Sequence, residues 1–297
     1  MNRLTLKQFR YFEALAQYGH FGHAAEVCAI SQPALSMQIK ELEITVGTAL
    51  FERGARSVSL TAFGEEFAIR VRDIMRGVDE LEDLARVPKD VLSGRLRLGV
   101  IPTIAPYLLP TIIGNLTKNH SALDLQLRET RTPTLIRELM DGRLDAAIVA
   151  LPVSEPSLYE VALFSESFVL VRPESEAGRE VPSPEKLREM RLLLLEEGHC
   201  FRDQALSFCN AGSTASRDML DGSSLSTLVQ MVGAGIGVTL IPEMAVRVET
   251  TSAPVSIATF PAPGPQRVVG MVWRKTSPLK AQFEQIADVV RSSAPGP

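Results

Sequence analysis

After Gly94 the chain alternates between short apolar runs and longer stretches with helical spacing, and this pattern restricts the fold more than any other. "RLRLGVI" is a strand, "APYLLPTIIGNLTKNH" a helix with a proline in its first half, and "LDLQLRE" a strand. "TPTLIRELMDGR" is a second helix and "LDAAIVAL" a third strand. A βαβαβ order of this kind requires a parallel sheet wrapped by helices, because parallel neighbours need a crossover long enough to hold a helix. "YEVALFSESFVLVRP" predicts two further strands, "SPEKLREM" a short helix opened by Ser183-Pro184, and "RLLLLEE" a buried strand. "SSLSTLVQMVGAGIGVTLIP" predicts a helix ending at glycines before a strand, "QRVVGMVWRK" a late strand and "LKAQFEQIADVV" a terminal helix.

The return of the chain to its first half predicts two α/β lobes, lobe I over about 92–163 and 267–297 and lobe II over about 164–266. This is the clamshell architecture of periplasmic-binding-protein-like folds. In open α/β sheets a ligand sits where strand C-ends meet helix N-termini. Thr103, after the first strand, and Thr132, opening the second helix, occupy two such corners. Each is open to two readings, a helix cap or a ligand contact. No Walker loop, G-x-G-x-x-G, H-E-x-x-H or G-x-S-x-G occurs, so conventional catalysis has no candidate site and no cofactor or metal is expected.

At 297 residues the chain has room for a further domain before the lobes. "GHFGHAAEVCAISQPALSMQIKELEITVG" reads as two short helices joined by a tight turn. Phe21, Ala24, Ala25 and Cys28 form one face of the first, and Cys28 is read as core. Ser31 is an N-cap with Pro33 in the first turn, where its missing N–H costs nothing. Leu35, Ile39, Leu42 and Val46 then make an inward stripe, opposite Gln32, Ser36, Gln38 and Lys40. Short polar side chains on an exposed helix face are of the kind that read base edges in a major groove. "FERGARSVSLT" is a hairpin with Gly54 at its turn, and Arg53 and Arg56 beside it suit phosphates or a minor groove. A mainly α winged helix-turn-helix over 1–60 follows. The overall formal charge of −4 gives no hint of nucleic acid, so binding rests on this local patch.

From Thr61 to about Ala85 there is no proline, and Phe67, Val71, Ile74, Val78, Leu81 and Ala85 follow alternating steps of three and four. This a/d spacing, flanked by dense charge, predicts a linker helix over 61–87 that pairs two chains as a coiled coil. "VPKDVLSGR" is then a hinge into the lobes. No apolar run approaches a membrane span and the N-terminus lacks the pattern of a signal peptide, so a cytoplasmic location is the expectation.

Two of the three cysteines, Cys200 and Cys209, stand nine residues apart in "GHCFRDQALSFC". Three cysteines are too few for a disulfide scaffold. The pair is open to three readings: two small core residues, half of a metal site with His199, or a redox pair. A loop-to-helix position after Gly198 would place Cys200 near positive helix-dipole charge, and Arg202 adds more.

"AEVCAISQPALSMQIKELE" followed by "LFERGARSVSLTAFG" resembles the LysR-type transcriptional regulators, and the likeness covers the whole chain. "IPTIAPYLLP", "ETRTPTLIREL" and "GHCFRDQALSFC" resemble the peroxide-sensing members of that family. Phe201 stands where those members often have leucine, and Ala34 and Met37 fall at positions that vary among recognition helices. The resemblance implies a transcription factor, not an enzyme, that works on double-stranded promoter DNA with RNA polymerase as partner, hydrogen peroxide as signal and a homotetramer as the assembly. It implies that Cys200 is the peroxidatic and Cys209 the resolving cysteine. His199, Arg202 and Asp203 would belong to the surrounding network, and Thr103 and Thr132 to the peroxide pocket. The rivals are a LysR-type regulator that binds a small metabolite between its lobes, and a thiol peroxidase.

Overall fold

The computed structural model describes residues 4–54, 58–86, 92–208 and 221–293. The hinge residues 87–91, Arg56 and Cys209 lie outside them, as does the side chain of Arg53. The chain divides into two compact units, 1–86 and 87–297.

The first unit opens with α1 (Leu6–Tyr18), α2 (Phe21–Val27) and α3 (Gln32–Val46). Thr5 and Gln8 close a capping box on α1, and Gly19 ends that helix in the left-handed region. His20 caps α2 through Nδ1, which accepts from the N–H groups of Gly22 and His23. Ser31 caps α3 and accepts from Ala34 N–H. The inward stripe is as expected: Leu35, Ile39 and Leu42 are fully buried against Phe9, Phe12 and Leu15 of α1. The wing is a hairpin of β1 (Phe51–Arg53) and β2 (Val58–Leu60), with Phe51 opposite Leu60. Glu43 of α3 anchors its root by accepting from the N–H groups of Leu50 and Phe51.

The linker helix α4 (Ala62–Arg86) departs from the single stripe expected of it. Ala68, Val71 and Met75 are buried in the core of their own unit, and Phe67 packs edge-on against Phe12. Ile74 and Leu81 remain 47% and 66% exposed. The unit's core reaches along α4 only as far as Met75, so the periodic stripe serves two surfaces in turn.

The second unit runs β3 (Gly94–Val100), α5 (Ala105–Asn119), β4 (Leu123–Glu129), α6 (Thr132–Met140), β5 (Ala146–Leu151) and β6 (Leu158–Pro173). It continues with α7 (Pro184–Glu189), β7 (Leu192–Leu195), α8 (Cys200–Phe208), β8 (Asp221–Gly222), α9 (Leu225–Gly233) and β9 (Val238–Pro242). The last elements are α10 (Val246–Glu249), β10 (Val255–Thr259), β11 (Gln266–Arg274) and α11 (Lys280–Ser293). The strands order as β4-β3-β5-β11-β6-β9-β7-β8, with β10 paired to β6. β3, β4 and β5 are parallel, whereas β11 runs antiparallel to both β5 and β6. Two separate cores form on this sheet. One gathers Leu98, Ile148, Trp273 and Phe283, the other Phe168, Leu194, Phe201 and Leu240.

"YEVALFSESFVLVRP" is one strand, where the sequence predicts two. The polar triplet Ser165-Glu166-Ser167 looks like a turn in a one-dimensional reading. In the fold Glu166 is buried at 7% exposure and faces Arg267, so the strand passes through without breaking. Its outer half pairs with β11 and its inner half with β9 and β10, which makes β6 the strand common to both cores. A register shift between Val269 and Gly270 skips Leu163 and bends the ladder within the first core.

Gly270 sits at that bend with no space for a side chain. A Cβ there would stand 2.3 Å from Leu151 Cδ1 and 2.9 Å from the Val161 carbonyl oxygen. Gly270→Ala is therefore expected to cost about 1–3 kcal/mol through overpacking. Trp273, the single tryptophan and buried in the same strand, reports the loss as a lower urea midpoint in fluorescence.

Candidate functional site

Three strand-to-helix corners of the second unit converge. The turn after β3 supplies Ile101, Pro102 and Thr103, the corner before α6 supplies Arg131 and Thr132, and the loop between β7 and α8 supplies His199, Cys200 and Phe201. Together they line one narrow cleft with no room even for a water molecule. Gly198 makes the sharp entry into α8 with φ of 88°, a left-handed conformation that glycine adopts without strain. Cys200 follows as a half-buried free thiol at the first position of α8. Phe201 is fully buried, edge-on to Phe168 at 4.9 Å, and fixes the helix to the sheet.

Four residues singled out in sequence (Thr103, Thr132, His199 and Cys200) thus share one cleft. The Thr132 hydroxyl is buried there without a hydrogen-bond partner among the described residues, so it is not acting as a cap. Thr103 is 2% exposed, and its hydroxyl accepts from Arg267 Nη1 at 2.8 Å, which leaves its own proton to donate elsewhere. His199 is 8% exposed. Burial holds its pKa below the ordinary 6.5, the Arg131 charge adds to this, and Glu196 pulls weakly the other way. The imidazole is therefore neutral at neutral pH.

Arg202 and Asp203 do not join the cleft. The Arg202 guanidinium donates to the Leu195 carbonyl at 2.8 Å and pairs with Asp221 at 2.5 Å, tying α8 to β7 and β8. Asp203 faces a separate groove with Gln204, Ser207 and Gln266. The helical period explains Arg202, since two residues beyond Cys200 the side chain points to the opposite side of α8.

Two charged groups were missed in the sequence. Arg267 of β11 and Glu166 of β6 form an ion pair at 2.7 Å, with side chains 0% and 5% exposed. Arg267 also donates from Nη2 to the Thr103 carbonyl, and the other Glu166 oxygen accepts from Met244 N–H at 3.0 Å. The signal was present: a charged residue inside each of two strands that otherwise read as apolar.

Beyond Thr103 and His199 the cleft adjoins a chamber of about 110 Å³, with Tyr107, Ser223 and Ser226 among its walls. The Glu249 carboxylate occupies its edge and accepts from the hydroxyls of Tyr107 and Ser226, each at 2.5 Å. Burial, then the hydrogen bond to Glu249, pushes the Tyr107 hydroxyl above the usual tyrosine range, so it stays a donor.

On the first unit, Ser31, Gln32, Pro33, Met37 and Lys40 are exposed, while Ser36 and Gln38 are half-buried. Gln38 donates to Glu41 at 2.9 Å and stands on the flank of α3, with Met37 (56% exposed) nearer the centre of the outward face. The recognition face is thus more apolar than the polar set read from the sequence. Arg53 closes β1 at the wing.

A family model described as bacterial regulatory helix-turn-helix protein, lysR family, matches residues 6–65, and one for the LysR substrate binding domain matches residues 89–295. A probable hydrogen peroxide-inducible genes activator of Streptomyces viridosporus is 42% identical over 97% of this chain and 94% of its own length. The DNA-binding transcriptional dual regulator OxyR of Escherichia coli K12 is 38% identical over 99% of this chain and 97% of its own. Among solved structures, a full-length Pseudomonas aeruginosa OxyR with a cysteine-to-aspartate substitution superposes with a TM-score of 0.78 at 36% identity, covering 97% of this chain and 98% of that one. A hydrogen-peroxide-bound cysteine-to-serine mutant of Corynebacterium glutamicum OxyR gives 0.67 at 33% identity, covering 98% and 92%. With its winged helix-turn-helix and its two-cored α/β unit both matched, the chain belongs to the LysR family of transcription regulators, in its OxyR branch.

Proposed function

We propose that this protein is a peroxide-responsive, DNA-binding transcription regulator in which Cys200 is the reactive thiol. The observation that carries the reading is the buried hydroxyl of Thr132, without a hydrogen-bond partner among the described residues, in the same cleft as Thr103, His199 and Cys200. Such a hydroxyl suits a small polar guest, and hydrogen peroxide is both donor and acceptor. Its entry requires the cleft to widen slightly. In the proposed step the Cys200 thiolate attacks one peroxide oxygen, the S–O bond forms and the O–O bond breaks. Hydroxide leaves, takes a proton and departs as water. Neutral His199 suits the acceptor of the thiol proton, and Thr103 and Thr132 suit donors to the two oxygens.

The sulfenic acid at Cys200 then condenses with the Cys209 thiol, forming S–S and releasing water. Helical geometry makes this a mechanical event. Eight helical steps separate the α-carbons of Cys200 and Phe208 by about 12 Å. A disulfide tolerates about 7 Å, and one further peptide link spans about 3.8 Å, so the bond requires α8 to bend or unwind. Remodelling at α8 would shift paired regulatory units and reset the spacing of the DNA-reading heads. Contacts to promoter DNA fall to Ser31, Gln32, Pro33, Ser36, Gln38, Lys40, Arg53 and Arg56, with RNA polymerase as the downstream partner. The exposed Ile74 and Leu81 of α4 support pairing of two chains, and a homotetramer is the proposed assembly.

The metabolite reading is weaker because the inter-lobe chamber already holds the chain's own Glu249 carboxylate against Tyr107 and Ser226. A zinc reading is weaker because His199, Cys200 and Cys209 would supply three ligands without the paired spacing usual in zinc sites.

Mass spectrometry after brief peroxide exposure is expected to show a Cys200–Cys209 cross-link, with Cys200→Ser unreactive and Cys209→Ser arrested at a sulfenic acid trapped by dimedone. Recovery of wild-type chain with both thiols free would sink the proposal. Thr132→Val is expected to leave the thermal midpoint unchanged, since the hydroxyl has no hydrogen bond to lose among the described residues, yet to slow Cys200 oxidation about tenfold or more. An unaltered rate would remove Thr132 from the reaction. Leu81→Asp is expected to weaken self-association in sedimentation velocity while circular dichroism stays native. Unweakened association would take Leu81 out of the pairing surface.

A further inference from the structure

One side chain of the cleft has no place in the chemistry above. Arg131 precedes the first turn of α6, and its Nη1 donates to the carbonyl of Glu197 at 2.8 Å. The same guanidinium lies over Gly198, where a Cβ would meet Arg131 Cδ at 3.5 Å and Nη1 at 3.6 Å. Glu197 and Gly198 lead directly into His199 and Cys200. The contact therefore joins the α6 corner, which carries Thr132, to the loop that presents the thiol. Those two segments are 66 residues apart in the chain. Only arginine combines this reach with a planar head that can lie flat on a glycine backbone while donating a hydrogen bond.

We propose that Arg131 is a positioning residue of the reactive cleft, a strap that holds the Glu197–His199 loop against the N-terminus of α6 so that Thr132, His199 and Cys200 converge on one point. The inference rests on the peroxide-sensing reading and deepens it. The strap acts on His199 through charge as well as through geometry. A cation beside a buried imidazole opposes its protonation, and Arg131 is the larger of the two charge influences on His199. The other groups facing that ring are Glu196 in its own loop, Cys200 on α8, and Glu129, Tyr107 and Glu249 from β4, α5 and α10 across the chamber. Arg131 is the cation that acts on the ring, while Arg267, the other cation at the cleft, is paired with Glu166 behind Thr103. With Arg131 in place the ring stays neutral, and able to accept a proton, to a lower pH than an ordinary histidine.

The test uses the full-length chain as wild type, Arg131→Ala and Arg131→Lys. It reads the rate of Cys200 sulfenic acid formation from pH 5.5 to 8 and the His199 midpoint from its ring-proton resonances, assigned with His199→Gln. In Arg131→Ala the His199 midpoint is expected to rise toward 6.5, the acid limb of the rate to move up with it, and the rate at neutral pH to fall about three- to tenfold through misplacement. Arg131→Lys, which keeps the charge and loses the flat contact, is expected to restore the midpoint and only part of the rate. A purely structural role would lower the melting temperature of Arg131→Ala without moving the His199 midpoint, and that outcome overturns the proposal. So does an Arg131→Ala chain matching wild type in rate and midpoint. A wild-type chain inert to peroxide is a different failure, because it removes the peroxide reading itself.

Discussion

The second unit depends on the ion pair between Arg267 and Glu166, because every part of the site is referred to it. The pair spans adjacent strands between Phe164, packed on one core, and Phe168 of the other. Arg267 holds both the hydroxyl and the carbonyl of Thr103, while Glu166 holds the backbone of Met244 behind β9. Phe168 lies between the guanidinium, 6.0 Å away, and Phe201 at the start of α8. One buried charge thus sets the turn after β3, and through Phe168 the seat of the cysteine helix. Desolvating two ions is expensive, and an apolar pair of similar volume often gives equal or better stability. The gain from this pair is therefore position, not net stability. Losing either partner alone would leave the other charge buried, at a cost of about 3–5 kcal/mol.

Around that anchor the site divides its tasks among groups of different freedom. Thr103 is fixed by Arg267 and has one proton to offer. Thr132 has no hydrogen-bond partner among the described residues. His199 is kept neutral by burial and by a neighbouring cation, so it is suited to accept a proton and not to supply positive charge. Arg202 brings no free positive charge to the cleft, because its guanidinium is engaged with Leu195 and Asp221.

Much of this architecture was legible in the sequence. The alternation after Gly94 and the paired helices of the first unit follow from periodicity, and the meeting of Thr103, Thr132, His199 and Cys200 from the family resemblance. What escaped has a common cause: a charged residue counts as exposed until its partner is known. Glu166 drew no attention because its partner lies 101 residues away in the chain. Arg131 looked like an ordinary residue before a helix, for the Glu197 carbonyl is equally remote. The linker helix misled in another way. A stripe at steps of three and four shows that one face is apolar, but it does not say which neighbour covers it. Val71 turned out to belong to the helix's own unit, and Ile74 does not.

The length of α8 gives the thiol spacing its meaning. A redox pair in a rigid turn would close with little movement and report nothing beyond its own oxidation. Here Cys200 begins a helix of nine residues whose far end is anchored by Phe208 stacking edge-on against Phe260 at 5.1 Å. Any bond from Cys200 to Cys209 must break helical hydrogen bonds and disturb that aromatic contact. Burial of Phe201 against Phe168 resists the change from the near end. In the proposed step the free energy of forming the disulfide would be set against the packing of α8, and the chemistry would not finish without rearranging the surface around that helix. A sensor requires that coupling, and a peroxidase, which gains nothing from moving its own scaffold, does not.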